Sequence, residues 1–103
     1  MVEPQVERRT TRRFLLDLPV AIKRLGAKEI LAHTRDVSSR GICFYMLNPA
    51  PVGENIEFTL TLTAEITLTE AIRVRCHGRV LRVEPANVPA VAAVIDRYDF
   101  LAN

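Results

Sequence analysis

This chain of 103 residues has few lysines, no tryptophan and a small net charge. Its 14 cationic side chains exceed its 12 acidic ones by only two. A net charge this small gives no reason to expect binding along a long polyanion such as DNA. Only Lys23 and Lys28 are lysines, and all other cations are arginines. The guanidinium group makes planar, two-pronged contacts with phosphate and guanine, so this preference favours recognition of an anion over mere solubility.

Long apolar runs are also missing. The longest, residues 88–95, contains Pro89 and is far shorter than the roughly 20 residues that a membrane span requires. Residues 1–9 contain no apolar stretch of the kind that forms a secretory signal. We therefore expect a cytoplasmic protein with no membrane insertion. The length and the 49% content of hydrophobic residues predict a single domain with one core.

Two cysteines and two histidines leave few ingredients for a metal site or a catalytic site. Cys43 and Cys76 are isolated, without C-x-x-C spacing, and the histidines are His33 and His77. The sequence contains no glycine-rich phosphate loop, no G-x-S-x-G and no H-E-x-x-H. We therefore expect two reduced, buried thiols, no metal, no cofactor and no enzymatic activity.

Apolar residues in the middle of the chain recur with a period of two, which is typical of half-buried strands. Residues 56–63 alternate between apolar and polar side chains, and residues 72–80 follow the same pattern. Residues 42–47 are apolar on both faces and rich in aromatics. Strands are therefore expected to dominate the fold.

Turn signals divide these strands at intervals of about ten residues, at Gly26, at residues 48–53 and at residues 84–87. The spacing predicts an all-β fold of six or seven antiparallel strands, closed into a small barrel or folded as a sandwich. Residues 91–101 predict a last strand to about Ile95, and the remaining residues are left open, with at most a short C-terminal helix.

Residues 1–13 have no apolar period, and we predict a flexible, arginine-rich N-terminal arm ahead of a single barrel domain at residues 14–103. Adjacent guanidinium groups repel one another, so a folded arm would need an anion between them. The spacing Arg9-x-x-x-Arg13 lets two of them converge on one phosphate or guanine edge. The simpler interpretation is a solvated basic arm that binds acidic surfaces loosely. The four arginines of the arm are Arg8, Arg9, Arg12 and Arg13.

A second polar segment, residues 34–42, lies between two predicted strands. Asp36 and Ser38 are common turn residues, and Gly41 allows a positive φ without steric cost. On its own the segment is an ordinary tight connection. Asp36 is also a fixed acceptor suited to the N1–H and amino groups of guanine, Ser38 adds a hydroxyl, and Gly41 lets a ligand approach the backbone.

Together, the two segments resemble the PilZ family of cyclic di-GMP receptors, which is marked by R-x-x-x-R followed by D/N-x-S-x-x-G. In this chain the two motifs read Arg9-Thr10-Thr11-Arg12-Arg13 and Asp36-Val37-Ser38-Ser39-Arg40-Gly41. The resemblance covers roughly residues 7–100 and implies an antiparallel barrel of six or seven strands, in agreement with the strand count above. Beyond the motifs it extends to residues 18–20, 41–44, 51–53 and 77–83.

The resemblance implies a ligand, cyclic di-GMP, and the residues that bind it. Arg9 and Arg13 would clamp guanine and phosphate from the N-terminal side. Asp36 and Ser38 would hydrogen-bond the ligand from the other side, and Gly41 would shape the turn that wraps the base. Cyclic di-GMP is a planar dianion with twofold symmetry, so this set meets both its phosphates and its guanine edges.

Three more arginines are candidates for the same ligand. Arg8 and Arg12 would stack on a second guanine through cation–π contacts, which would favour a ligand dimer. Arg40 lies inside the turn that faces the arm and belongs to the same cationic clamp.

We therefore predict a stand-alone second-messenger sensor of bacterial signalling. Its arm would become ordered around the ligand and present a new surface to a downstream protein partner. The alternative is a PilZ-like interaction module that acts on pili or flagellar machinery without nucleotide. The presence of Arg9, Arg13, Asp36 and Ser38 argues against that alternative, since such a module would have no reason to hold all four.

DNA and RNA are not expected partners. RNA-binding barrels usually stack bases on exposed aromatic rings. Phe44, Tyr45 and Phe58 lie in apolar strands instead, and the sequence predicts that they belong to the core.

A basic stripe of alternate residues remains, formed by Arg73, Arg75, His77 and Arg79. Alternate residues of a strand lie on one face, so these side chains should be neighbours on the barrel surface. The stripe is interpreted as a solvated outer face. A docking surface for an anionic ligand or an acidic partner is the other possibility.

Overall fold

The computed structural model describes residues 12–101 and has six β-strands closed into one antiparallel barrel. No helix within those residues is long and apolar enough to cross a membrane. The strands are β1 (Pro19–Arg24), β2 (Ile30–Val37), β3 (Gly41–Tyr45), β4 (Asn55–Leu62), β5 (Ile72–Glu84) and β6 (Ala90–Leu101), and a four-residue helix, α1 (Ala64–Thr67), separates β4 from β5. Around the barrel the order is β1, β2, β3, β6, β5, β4. The predicted all-β fold is confirmed, and it is the barrel rather than the sandwich.

The barrel interior is filled by the apolar residues of the period-two pattern. Phe44 on β3 and Phe58 on β4 are fully buried, with their ring centroids 6.1 Å apart. Ile22 on β1 and Ile42 on β3 are equally buried. On β4, residues 56–60 alternate between buried and partly exposed, as predicted. Each buried side chain of this size contributes about 1.5–3 kcal/mol relative to an exposed position, so burial of this core is what holds the strands together.

Both cysteines are free and buried, as predicted. Burial raises the pKa of the Cys76 thiol to about 11. Burial also raises the pKa of the Cys43 thiol above its usual value. Because the thiolate is the reactive form, both cysteines are structural at neutral pH.

The last strand is longer than its sequence pattern requires. β6 continues past Ile95 to Leu101, so the residues that the structure describes form no C-terminal helix. β5 is longer by one residue and pairs with β6 along almost its whole length. Two register shifts interrupt this pairing, one of them between His77 and Gly78. Such bulges bend a strand, which lets two long strands follow the curvature of a small barrel.

The prediction that Tyr45 belongs to the core is wrong. Tyr45 is the last residue of β3 and is 40% exposed, whereas its neighbour Phe44 is completely buried. Successive residues of a strand point to opposite faces, so only one of these two aromatics can fill the interior. An apolar run on both faces hid this alternation in the sequence.

Gly78 marks the closest approach of β5 to the backbone of β6. A Cβ at this position would overlap the carbonyl oxygen of Val94. We expect Gly78→Ala to lower the free energy of unfolding by about 2–3 kcal/mol, because a paired backbone cannot move aside as a flexible side chain would. Urea unfolding followed by circular dichroism measures this loss.

Gly26→Ala is the matched control. Gly26 has a φ of +74° in an open turn, with no atom within 4 Å of an added Cβ. We expect this variant to lower the free energy of unfolding by only about 1 kcal/mol, the cost of a left-handed backbone conformation for a residue with a Cβ. Equal losses of stability in the two variants would contradict the steric role of Gly78.

Candidate ligand-binding site

Two of the predicted ligand residues, Arg8 and Arg9, lie outside the described residues, and their roles stay predictions. The others fall on two adjacent segments of the barrel. One segment leads into the isolated β-bridge at Phe14, and the other is the turn from β2 to β3. The described candidates are Arg12 and Arg13 on the first segment, and Asp36, Ser38, Arg40 and Gly41 on the second.

The two segments are joined by backbone hydrogen bonds. The Phe14 N–H donates to the Val37 carbonyl oxygen at 2.8 Å, and the Val37 N–H donates to the Phe14 carbonyl oxygen at 2.9 Å. This bridge places Arg13 beside Asp36, although 23 residues separate them in sequence. The Arg13 guanidinium donates through Nε and lies with Nη2 within 2.8 Å of Asp36 Oδ1. The fold therefore brings one residue of each motif into direct contact.

A β-bulge in β2 determines the face on which Asp36 lies. Thr34 is opposite Phe44, and Asp36 is opposite Cys43, so Arg35 is an extra residue in the pairing. Without it, Thr34 and Asp36 would share the inner face, since residues two apart in a strand point the same way. The bulge turns Asp36 to the outer surface, where it is nevertheless only 5% exposed because neighbouring side chains cover it.

Those covering side chains form a chain of alternating charges. Arg35 donates through Nε to Asp36 Oδ2 at 3.0 Å and through Nη1 to Glu84 Oε1, also at 3.0 Å. Glu84, at the end of β5, accepts a further bond from Arg82 Nε at 3.2 Å. Asp36 is thus held from both sides, by Arg13 on the arm side and by Arg35 on the barrel side. The sequence predicted no role for Arg35 or Glu84. Glu84 lies 49 residues from Arg35, and no local sequence pattern links residues so far apart.

These contacts keep Asp36 ionised. Burial alone would raise the pKa of its carboxyl group, but hydrogen bonds from Arg35 and Arg13 and their positive charges outweigh it, so the pKa is lowered. The Arg35 and Arg82 guanidinium groups likewise lower the pKa of Glu84. The pKa of Arg35 is raised by its bonds to Glu84 and Asp36. At neutral pH the site therefore presents a carboxylate acceptor between two permanent cations.

Ser38 holds the turn together. Its Oγ accepts hydrogen bonds from the Gly41 N–H at 3.1 Å and the Arg40 N–H at 3.3 Å. It also lies 3.2 Å from the Gly41 carbonyl oxygen, to which it donates. The residue is 6% exposed. In this structure the hydroxyl is used within its own turn, which fixes the position of the backbone beside Asp36.

The expectation of a positive φ at Gly41 is wrong, since Gly26 and Gly53 are the positive-φ glycines in the described part of the chain. Gly41 begins β3, and a Cβ there would lie 2.9 Å from the Ala93 carbonyl oxygen on β6. Glycine is required at this position by the close pairing of β3 with β6. It therefore shapes the turn through packing and not through backbone conformation.

Arg12 and Arg40 are exposed, and neither forms an ion pair within residues 12–101. The backbone of Arg40 is anchored, because its carbonyl oxygen accepts a bond from the Ile95 N–H at 2.8 Å. Both guanidinium groups are therefore accessible to an anion near the turn.

An open cleft of about 390 Å³ is lined in part by Arg35, the partner of Asp36. The exposed Tyr45 forms one side of this cleft and offers an aromatic surface there, although the sequence predicted that the residue belongs to the core. The lining residues are Leu15, Leu16, Asp17, His33, Thr34, Arg35 and Tyr45.

The basic stripe lies on the outer face of β5, where acidic groups on adjacent strands partly neutralise it. Arg79 lies 3.2 Å from Asp96 on β6. Arg75 lies 3.7 Å from Glu57 on β4, and His77 Nδ1 lies 3.9 Å from the same carboxylate. This arrangement agrees with a solvated outer face, and the stripe makes no ion pair with the Arg13–Asp36 site in the described chain.

Comparison with known proteins places this barrel and its motifs in a family. The model of the PilZ domain matches residues 7–98, a range that includes both motifs. Among solved structures, the chain is similar to the inhibitor of motility of Bacillus subtilis (MotI/DgrA), with a TM-score of 0.77 and 18% sequence identity. The match covers 89% of this chain and 44% of that chain, so this chain spans less than half of that protein's length. No curated protein matches the sequence.

The structural likeness shows a shared fold, and the family match is independent of it. A PilZ domain is a non-catalytic binding module, in agreement with a sequence that lacks enzyme motifs. Because the family model spans nearly the whole length, this chain belongs to the PilZ domain family.

Proposed function

We propose that this chain is a receptor for cyclic di-GMP, the ligand that PilZ domains typically bind. The observation that carries the proposal is the contact between Arg13 and Asp36. One guanidinium group and one ionised carboxylate, each from a different motif, meet at the barrel surface. A guanine base offers acceptors at O6 and N7 and donors at N1 and its amino group, so it needs a partner of each kind.

Arg13 is suited to bind the anion. Its side chain is 48% exposed, so it can turn from Asp36 toward a phosphate or the guanine O6 and N7 edge. Arg9 supplies the second guanidinium group of the R-x-x-x-R motif in this proposal, with Arg8 and Arg12 available for a second guanine. Arg40 and the turn backbone held by Ser38 and Gly41 complete the site.

Asp36 stays paired if Arg13 turns toward the ligand. Arg35 keeps its bond to Asp36 Oδ2, and Glu84 holds Arg35 on its far side. An isolated buried carboxylate would be costly, and this support removes that cost. The freed oxygen Oδ1 then accepts from the guanine donors. Asp36 can therefore exchange Arg13 for the ligand while its buried charge stays paired with Arg35.

We further propose that residues 1–13 are a flexible arm and residues 14–103 the barrel domain. The Phe14–Val37 bridge, the first backbone pairing in the described chain, supports this boundary. Ordering the arm costs about 1–2 kcal/mol per fixed residue. Charge-assisted hydrogen bonds of about 1.5–3 kcal/mol each offset it when ligand is present. The ordered arm would carry the signal to a downstream protein partner in the cytoplasm.

Calorimetric titration tests the receptor and its residues. We expect binding of cyclic di-GMP but not of GTP or a short RNA. Arg9→Ala and Arg13→Ala should each weaken binding about tenfold or more, because each removes a charged bidentate contact worth on the order of 1–3 kcal/mol. Arg73→Ala is the matched control, since Arg73 is an exposed arginine on the outer face of β5, and it should leave the affinity unchanged.

The possible outcomes distinguish an error in the assigned residues from an error in the proposed function. Unchanged affinity in both arm variants would contradict the assignment of Arg9 and Arg13 while leaving the receptor intact. Absence of binding by the unaltered chain would contradict the receptor itself and favour the interaction module that acts on pili or flagellar machinery without nucleotide.

The role of Asp36 is tested by Asp36→Ala as a function of pH. Because the pKa of Asp36 is lowered on folding, its stabilising contribution is present above the unfolded pKa of about 3.9 and is lost as pH falls through the folded pKa. We expect Asp36→Ala to lower the free energy of unfolding by about 1–3 kcal/mol at pH 7, with this difference shrinking below about pH 4. Affinity for cyclic di-GMP should fall in the same variant.

Asp17→Ala is the control for this measurement. Asp17 is 80% exposed and pairs with His33, which is 65% exposed, so its removal should cost less than about 1 kcal/mol. An Asp36→Ala variant with the stability and affinity of the unaltered chain would contradict the proposed role.

A further inference from the structure

The second half of β6 leaves one strand edge open. β3 pairs with residues 90–94 of β6, whereas β5 pairs with residues 90–101. The Ile95 N–H still bonds to the Arg40 carbonyl oxygen, beside the turn of the candidate site. Beyond it, residues 96–101 have β5 on one side and no strand on the other within residues 12–101. Such an edge presents backbone donors and acceptors that another strand can pair with.

An exposed aromatic pair lies on this open segment. Tyr98 and Phe100 are 54% and 65% exposed, and their rings meet edge to face with centroids 5.9 Å apart. They follow the inner face of the sheet, opposite Cys76 and Val74 of β5, at the end of the strand that extends past β3. Natural edges are commonly protected by proline or by charged side chains, lysine above all. Residues 96–101 contain no proline or lysine, and their charged residues, Asp96, Arg97 and Asp99, carry both signs. Adjacent exposed aromatics beside an open edge indicate an interaction surface.

The charges on residues 96–101 are self-complementary, so that two copies of the segment can pair with opposite charges facing each other. Arg97 and Asp99 flank Tyr98, are both exposed, and face outward with His77 and Arg75 of β5. Neither Arg97 nor Asp99 has an ion-pair partner within 4.0 Å in the described part of the chain. If a second copy pairs antiparallel with a twofold axis at Tyr98, each Arg97 lies directly opposite the Asp99 of the other copy. Opposite charges in directly opposed positions stabilise a strand pair.

We propose that two copies of this chain associate through antiparallel pairing of residues 96–100, with the twofold axis at Tyr98. The pairing is isologous, so the same patch serves both copies and the assembly closes as a dimer. It forms two ion pairs between Arg97 and Asp99 on the outer face. It also places the two Tyr98 side chains opposite each other on the inner face, each diagonal to Phe100 of the other copy, where aromatic contacts add to the backbone hydrogen bonds.

A charge-swap experiment tests the pairing with the full chain. Arg97→Asp places carboxylates at both positions 97 and 99, and Asp99→Arg places guanidinium groups at both, so each variant repels its own copy and complements the other. By sedimentation over a range of concentrations, we expect the unaltered chain to form a dimer. Each variant alone should dimerise about tenfold more weakly or worse, since two cross-strand ion pairs become like-charge pairs. An equimolar mixture of the two variants should recover the dimer.

Two further variants keep the result interpretable. Lys28→Asp makes the same change in charge as Arg97→Asp but lies outside residues 96–101, in the turn before β2, and should leave the dimer unchanged. Tyr98→Cys places two thiols on the proposed axis, so mild oxidation should link two chains through that position. Cys43 and Cys76 are buried and should not compete.

Each of the following results would overturn the proposal. The first is an unaltered chain that sediments as a single copy at every concentration, which would leave the edge to another occupant such as residues 1–11. The second is a dimer that resists both charge variants. The third is a folded Tyr98→Cys chain that forms no intermolecular disulfide, or a mixture of folded charge variants that fails to dimerise.

Discussion

One extra residue in β2 decides the chemistry of the barrel's outer surface. The bulge at Arg35 reverses the alternation of β2, so that Thr34 faces the interior while Asp36 faces the bridge that precedes β1. A strand without that insertion would direct Asp36 into an apolar core, where a carboxylate would be protonated or would destabilise the fold. The contact of Asp36 with Arg13 and the shelter given by Arg35 both depend on this shift of register.

The bulge also explains how so polar a site is tolerated. Arg13, Asp36, Arg35, Glu84 and Arg82 alternate in sign along a continuous line of hydrogen bonds. The small net charge of the chain therefore reflects local pairing and not an absence of charge. Replacing such a group with apolar residues is often neutral or stabilising, so stability alone does not account for it. A preorganised carboxylate between two cations is what a ligand with both donors and anionic groups requires.

Long strands give the barrel both its closure and its open edge. β5 and β6 pair over nearly their full length and bend at two register shifts, which lets them complete the circle between β3 and β4. The close approach at Gly78 is part of the same bend. Because β3 pairs only with the first half of β6, the second half extends as an edge that begins next to the Arg40 turn. The edge therefore begins beside the candidate ligand site, where the Ile95 N–H bonds to the Arg40 carbonyl oxygen.

The sequence by itself determined an all-β fold of six or seven antiparallel strands and named Arg13 and Asp36 as site residues, since alternation and turn residues are local signals and the two motifs name their own residues. The contact between Arg13 and Asp36 was decided by the register of β2. Tertiary structure decided the outward position of Tyr45, the packing role of Gly41, and the support of Asp36 by Arg35 and Glu84. Those features depend on strand register and on contacts between residues as far as 49 apart. A shift of one residue exchanges the two faces of a strand, and only the pairing with neighbouring strands selects the register.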